Sequence, residues 1–228
     1  MDSVIKTYII NTGQYEDEAA FNTAVESVSP YRRQKIALLK NMKDKMRSLA
    51  AAIALNTALK EYGLEERTME YNVGEQGKPY FRYNPDIRFS LSHSGDYAIC
   101  SIGTHETGND IELIKSGRER VAQRFFATEE LDWIYETQDI RERDERIFRI
   151  WTMKESFLKV TGRGMSLPLK DFAVAVSDDK SVNIRQNIND ITYYMKEYAM
   201  PETLPEYDAY KISVCSESET YAPELVVV

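Results

Sequence analysis

Asp110 and Glu112 stand two residues apart in a stretch, 109–114, that reads as a strand. Side chains two apart on a strand share one face, so both carboxylates leave one side of a sheet while Ile111 and Leu113 leave the other. Two hard oxygen donors on one face suit Mg²⁺, which takes one or two carboxylates and keeps several waters. Two acids turned to bulk water would leave the same trace in the sequence. A second group lies on a helix expected over about 142–161 and stopped by Gly162. Ile147, Trp151, Lys154 and Leu158 step by 4, 3 and 4 and form one stripe. Lys154 sits at the centre of that apolar stripe, which is costly unless its amine reaches a carboxylate or water. Glu155 lies at the stripe's edge, with Lys159 one turn beyond it. An acid and two lysines on one helix could together meet a metal and a phosphate. A Glu–Lys pair at i, i+4 with a snorkelling lysine accounts for the same residues structurally.

The remaining reactive types are few. Two histidines, His93 and His105, are too few for a multi-histidine metal site. No Gly-x-Ser-x-Gly elbow supports a serine-hydrolase triad. His93, after Ser92, falls in a predicted turn (93–96), where it is a general base, a phosphate contact or a plain turn residue. Lys78, after Gly77, faces either a phosphate or solvent.

The elements that must position these groups alternate in type. A strand is expected over 6–11, a helix over 16–27, and a longer helix from Pro30 to about Tyr62. The apolar stripe of the long helix is Leu39, Met42, Met46, Leu49 and Ile53, and Gly63 ends it. Strands over 87–92 and 97–102 form a hairpin. Helices are expected over 118–126 and over 128–137, the second capped by Thr128. Short strands follow over 172–176, 182–185, 191–196 and 210–215. The fold class is α+β.

Composition narrows the function. The chain has 228 residues, enough for one large domain or two fused halves, with a net charge of −8 that argues against nucleic acid as a partner. The stretch 32–47 carries seven bases and one acid, a net +6, leaving −14 for the remainder. Such an island suits an anionic ligand or an acidic partner, or is simply a solvated helix face. The longest apolar run, 49–55, is far short of the roughly 20 residues of a spanning helix. An acid at Asp2 stands where a leader peptide would be basic. Cys100 and Cys215 read as buried thiols of a reducing compartment, so a cytoplasmic protein without a membrane partner is expected.

Five stretches match a known family. They are Phe89-Ser-Leu-Ser-His-Ser-Gly95, Gly108-Asn-Asp-Ile-Glu112, Trp151-Thr-Met-Lys-Glu-Ser-Phe-Leu-Lys159, Gly77-Lys-Pro79 and Gly162-Arg-Gly-Met-Ser-Leu-Pro-Leu169. In order and spacing the chain resembles the 4′-phosphopantetheinyl transferases of the surfactin-synthetase-activating, monomeric type, over about 29–176. Two departures are Asn109, where the family often has a hydrophobic residue, and Arg32, where it often has lysine. The resemblance implies two similar α/β halves related by pseudo-twofold symmetry, here 1–105 and 106–228, with the active site at their interface. It implies transfer of the 4′-phosphopantetheine arm of coenzyme A to a serine of an apo acyl- or peptidyl-carrier protein, releasing adenosine 3′,5′-bisphosphate. Asp110, Glu112 and Glu155 would then be the Mg²⁺ ligands. Lys78, Ser92, His93 and Lys159 would surround the coenzyme A phosphates, Arg32 and Lys35 the 3′-phosphate, and Ser48 the nucleotide. Lys154 and Lys159 would add catalytic charge, and Glu155 or a metal-bound water would act as base. A Mg²⁺-dependent phosphodiesterase using the same carboxylates, and a non-catalytic coenzyme A or nucleotide-binding module, are the competing readings.

Overall fold

The computed structural model describes residues 4–177 and 181–228. Strand β1 (Lys6–Asn11) leads through helices α1 (Glu18–Glu26), α2 (Pro30–Leu38) and α3 (Met42–Lys60) to a small hairpin, β2 (Tyr71–Val73) and β3 (Pro79–Phe81). Strands β4 (Arg88–Ser94), β5 (Tyr97–Gly103) and β6 (Thr107–Leu113) follow. Helices α4 (Glu119–Phe125), α5 (Thr128–Tyr135) and α6 (Ile140–Thr161) lead into β7 (Phe172–Val176), β8 (Val182–Gln186), β9 (Tyr194–Tyr198), β10 (Tyr210–Ser216) and β11 (Val226–Val227). Two sheets dominate, in the orders β11-β1-β5-β4 and β6-β10-β9.

The two sheets are built alike. Each half runs strand, long helix, then two strands of which the later pairs between its predecessor and the first: β1, α3, β4, β5 and β6, α6, β9, β10. Strand alternation explains the layers. Tyr8 and Ile10 with Ala98, Cys100 and Ile102 face α3. Ile9, Tyr97 and Ile99 turn the other way and share one core with Ile111, Ile212 and Val214 of the second sheet. The halves therefore meet through a common apolar layer. After β10 the chain returns to the first sheet, where β11 runs parallel to β1. Both cysteines are buried free thiols. Among the described residues no helix is long and apolar enough to cross a membrane.

Three expectations need correction. The single helix over 30–62 is two helices, because Leu39 is extended and Asn41 caps α3, its side chain accepting the Lys43 N–H at 2.8 Å. The stripe shifts accordingly: Met42 is exposed while Met46 and Leu49 are buried. The hairpin turn shrinks to Gly95-Asp96, so His93 and Ser94 belong to β4. Gly95 has φ +56°, and a Cβ there would lie 2.2 Å from the Tyr210 hydroxyl. The cap of α5 is Ala127 rather than Thr128, with the Ala127 N–H held by the Glu130 carboxylate at 2.8 Å.

Candidate active site

Strand β6 presents Gly108, Asp110 and Glu112 toward α6, as their two-residue spacing requires. The helix comes so close that a Cβ on Gly108 would sit 2.1 Å from the Ser156 carbonyl oxygen. This approach carries Glu155 and Lys159 to the acidic face of β6. Lys159 Nζ donates to Asp110 Oδ1 and to the Asn109 carbonyl, both at 2.8 Å, and to Ser92 Oγ at 3.0 Å.

A row of serines on β4 completes the seam between the halves. Ser90, Ser92 and Ser94 alternate along the strand and turn toward β6. Ser90 Oγ accepts the Asn109 N–H at 3.0 Å, and Ser92 Oγ donates to Asp110 Oδ1 at 2.6 Å. Ser94 Oγ donates to Glu112 Oε2 at 2.7 Å and accepts the Leu113 N–H at 3.2 Å. Side-chain hydroxyls thus take the place of a backbone ladder here. Ser90 and Ser94 were not singled out from the sequence, although their i, i+2, i+4 spacing with Ser92 is legible there.

The acids feel one another. Burial raises the pKa of Glu112, and the Asp110 charge raises it further. Glu155 is likewise pushed up by burial, then by Asp110, with Lys159 pulling it back. Asp110 is buried, and its Oδ2 has no hydrogen-bond partner. Three hard oxygen donors with a spare buried oxygen and mutual repulsion fit a divalent cation chemically. They are not drawn into a closed cage, however: among the described residues no three His, Cys, Asp or Glu side chains form a metal-holding group. Lys159 and Ser92 occupy Asp110 Oδ1 instead.

Beside this acidic patch opens a cleft of about 630 Å³. Arg32, Lys35, Ser48, Lys78, Ser92, His93 and Lys159 all line it, so every residue assigned to the donor from the sequence falls on one surface. His93 is exposed at the cleft, but surrounding protein lowers its pKa, with Lys159 and Arg47 adding to the effect. Lys78 departs from the expected pose. Its amine is held by Glu106 at 3.0 Å and the Thr107 carbonyl at 2.8 Å, and Glu106 also pairs with Arg88 at 3.1 Å. A larger hollow, about 1240 Å³, lies across α6, β9 and β10. Ion pairs such as Arg149–Glu197 and Lys211–Glu145 line it, and none of the acidic trio does.

Lys154 is the clearest correction. The residue is fully buried in the second half and does not line the cleft, although Leu158 of the same stripe does. The amine contacts Glu130 Oε1 at 2.8 Å and donates to the Leu169 carbonyl at 2.7 Å and the Phe172 carbonyl at 2.8 Å. All three ammonium donors are engaged, which leaves no charge to project at a substrate. Glu130 had no role in the sequence reading; it also accepts the Val174 N–H at 2.8 Å and so ties α5 and β7 to α6.

Known proteins resemble this chain over most of its length. A 4′-phosphopantetheinyl transferase of Bacillus subtilis is 34% identical over 191 residues, covering 83% of this chain and 82% of that protein. The chain belongs to the 4′-phosphopantetheinyl transferases. The 4′-phosphopantetheinyl transferase Sfp of Bacillus subtilis (strain 168) is 30% identical over 203 residues, 88% of this chain and 87% of that one. This chain is accordingly an Sfp-like transferase. The model of the 4′-phosphopantetheinyl transferase superfamily matches residues 106–215, the part that holds the acidic trio and Lys159. Among solved structures, the holo-[acyl-carrier-protein] synthase of Thermotoga maritima overlays 49% of this chain and 61% of its own at a TM-score of 0.40 and 16% identity, and this partial overlay adds nothing to the assignment.

Proposed function

We propose that this transferase moves the 4′-phosphopantetheine arm of coenzyme A to a serine hydroxyl of an apo acyl- or peptidyl-carrier protein, releasing adenosine 3′,5′-bisphosphate. The observation that carries the proposal is the single cleft lined by Arg32, Lys35, Ser48, Lys78, Ser92, His93 and Lys159, which opens beside Asp110, Glu112 and Glu155. Cations at one end and carboxylates at the other suit a donor that is anionic along its length and cleaved at its pyrophosphate. Asp110, Glu112 and Glu155 would hold Mg²⁺, which neutralises charge on the pyrophosphate oxygens as the bond breaks. Lys159, already fixed by three hydrogen bonds, adds a preorganised positive charge at the same place. Glu155, half-buried and with its pKa raised, is suited to take the proton of the attacking serine. Exposed Lys40 and Lys43 leave positive charge free for an acidic carrier surface. Because one chain supplies both sides of the cleft, the enzyme acts as a monomer, and its two free thiols suit the cytoplasm.

Intact-mass spectrometry of an apo carrier incubated with the chain, coenzyme A and Mg²⁺ tests the proposal. A gain of one phosphopantetheine that EDTA abolishes is expected. Coenzyme A breakdown without carrier would point to a phosphodiesterase, and binding without turnover on any of several carriers to a non-catalytic module.

A further inference from the structure

Outside the acidic trio, the molecule holds another buried carboxylate that touches the cleft through a neighbour. Glu66, fully buried at a short 3-10 turn, accepts the Ser29 N–H at 2.7 Å, the Ser29 hydroxyl at 2.8 Å and the Tyr71 hydroxyl at 2.5 Å. Ser29 is also the N-cap of α2, its Oγ accepting the Arg32 N–H at 3.3 Å. Arg32 Nε lies 3.9 Å from Glu66 Oε1. The guanidinium lies against both aromatic rings, its carbon 5.3 Å from the Tyr71 ring centre and 5.5 Å from that of Tyr31. The two tyrosines stack on each other at 4.6 Å. Glu66 therefore controls the start of α2, the Tyr71 ring and the Arg32 charge together.

What this network leaves unsatisfied indicates its purpose. Arg32 is 5% exposed, yet its Nε and Nη2 have no hydrogen-bond partner although the residue lines the cleft. A purely structural buried arginine is expected to use its donors on carboxylates or carbonyls, as Lys154 does. Arg32 is oriented but unsaturated, the state of a group awaiting an anion with several acceptor oxygens.

Resting on the proposed donor reading, we infer that Glu66 is a positioning residue that, through Ser29 and Tyr71, aims the Arg32 guanidinium at the terminal phosphomonoester of the donor nucleotide. Glu66 thereby sets the preference for a 3′-phosphorylated donor without touching it. Its carboxylate keeps the arginine from turning out to solvent, so the ordering is complete before the donor arrives.

The test compares kcat and KM for coenzyme A and 3′-dephospho-coenzyme A in the wild type, Arg32→Ala, Glu66→Gln and Tyr71→Phe, with melting curves to establish folding. Glu66→Gln is expected to raise KM for coenzyme A about tenfold while leaving kcat and the dephospho donor's KM unchanged. Tyr71→Phe, which keeps the ring, is expected to shift the donor preference in the same direction by less, and it carries the test if Glu66→Gln fails to fold. If Arg32→Ala loses the preference and the Glu66 and Tyr71 variants keep it, Arg32 needs no positioning and the inference is overturned. If Arg32→Ala itself keeps the preference, the donor reading at this end of the cleft fails, and the inference with it. An equal rise in KM for both donors would make Glu66 merely structural.

Discussion

Helix α6 carries two lysine–carboxylate pairs five residues apart, and they have opposite fates. Lys154 and Glu130 have fully buried side chains, and carbonyls satisfy the lysine's remaining donors. Lys159 and Asp110 are joined at the same 2.8 Å, but the Lys159 side chain is 28% exposed, and Asp110 keeps one oxygen without a partner. The first pair is closed and can only hold α5, β7 and α6 together. The second is open on the cleft side and can exchange partners for a phosphate or a cation. Distance does not tell the two pairs apart; the saturation of their atoms does.

The comparison breaks most visibly at Asp110. Asp110→Ala is expected to lower transfer about 10³-fold with the fold retained, as judged by circular dichroism and by turnover at saturating Mg²⁺. Near-wild-type turnover would remove Asp110 from the site. At the closed pair the effect moves from rate to stability. Lys154→Met leaves the buried Glu130 carboxylate unpaired and is expected to cost about 3–5 kcal/mol, a fall in Tm of about 10 °C, while kcat per folded molecule stays at the wild-type value. A Lys154→Met/Glu130→Leu double variant should recover part of that loss, since it removes both charges together.

How much of this the sequence discloses follows from the kind of spacing involved. Strand alternation is local, so Asp110 and Glu112 on one face and Ile111 on the other are legible without a structure. The matched stretches likewise contain Lys78, Ser92, His93 and Lys159, whereas Arg32, Lys35 and Ser48 lie outside all five and reach the same cleft only through the fold. Lys154 was legible only as a lysine in an apolar stripe. A stripe shows which face is buried but not what lies across it, and Glu130 is 24 residues away on another helix. The break before α3 was hidden because Asn41, its cap, sits within a basic, helix-favouring run. Glu66 left no signal at all, since its partners Ser29 and Tyr71 meet it only in three dimensions.

Two smaller effects sharpen the contrast. Lys159→Met removes a fixed charge from the open pair and is expected to slow transfer about 10²-fold with little change in Tm. A comparable loss of stability would mean the open pair is structural too. Lys6–Glu61 provides an exposed reference at 2.5 Å, with side chains 38% and 44% exposed. Hydrogen bonds from Lys6 and then Tyr8 hold the Glu61 pKa below its ordinary value. A lowered carboxyl pKa contributes stability above the unfolded-state value, about 4.3, and loses it as pH falls through the folded-state value. Glu61→Gln should therefore cost less than about 1 kcal/mol at neutral pH, and its denaturation curve should converge with the wild type's in acid.

The central claim is that the Asp110–Lys159 end of α6, and not the Glu130–Lys154 end, serves phosphopantetheine transfer. It is tested most directly by intact-mass kinetics on an apo carrier with wild type, Lys154→Met and Lys159→Met, below every melting transition and normalised to folded enzyme. The account predicts that Lys154→Met modifies the carrier at the wild-type rate while Lys159→Met does so about 10²-fold more slowly. A folded Lys154→Met enzyme as slow as Lys159→Met, or a Lys159→Met enzyme as fast as wild type, would contradict it.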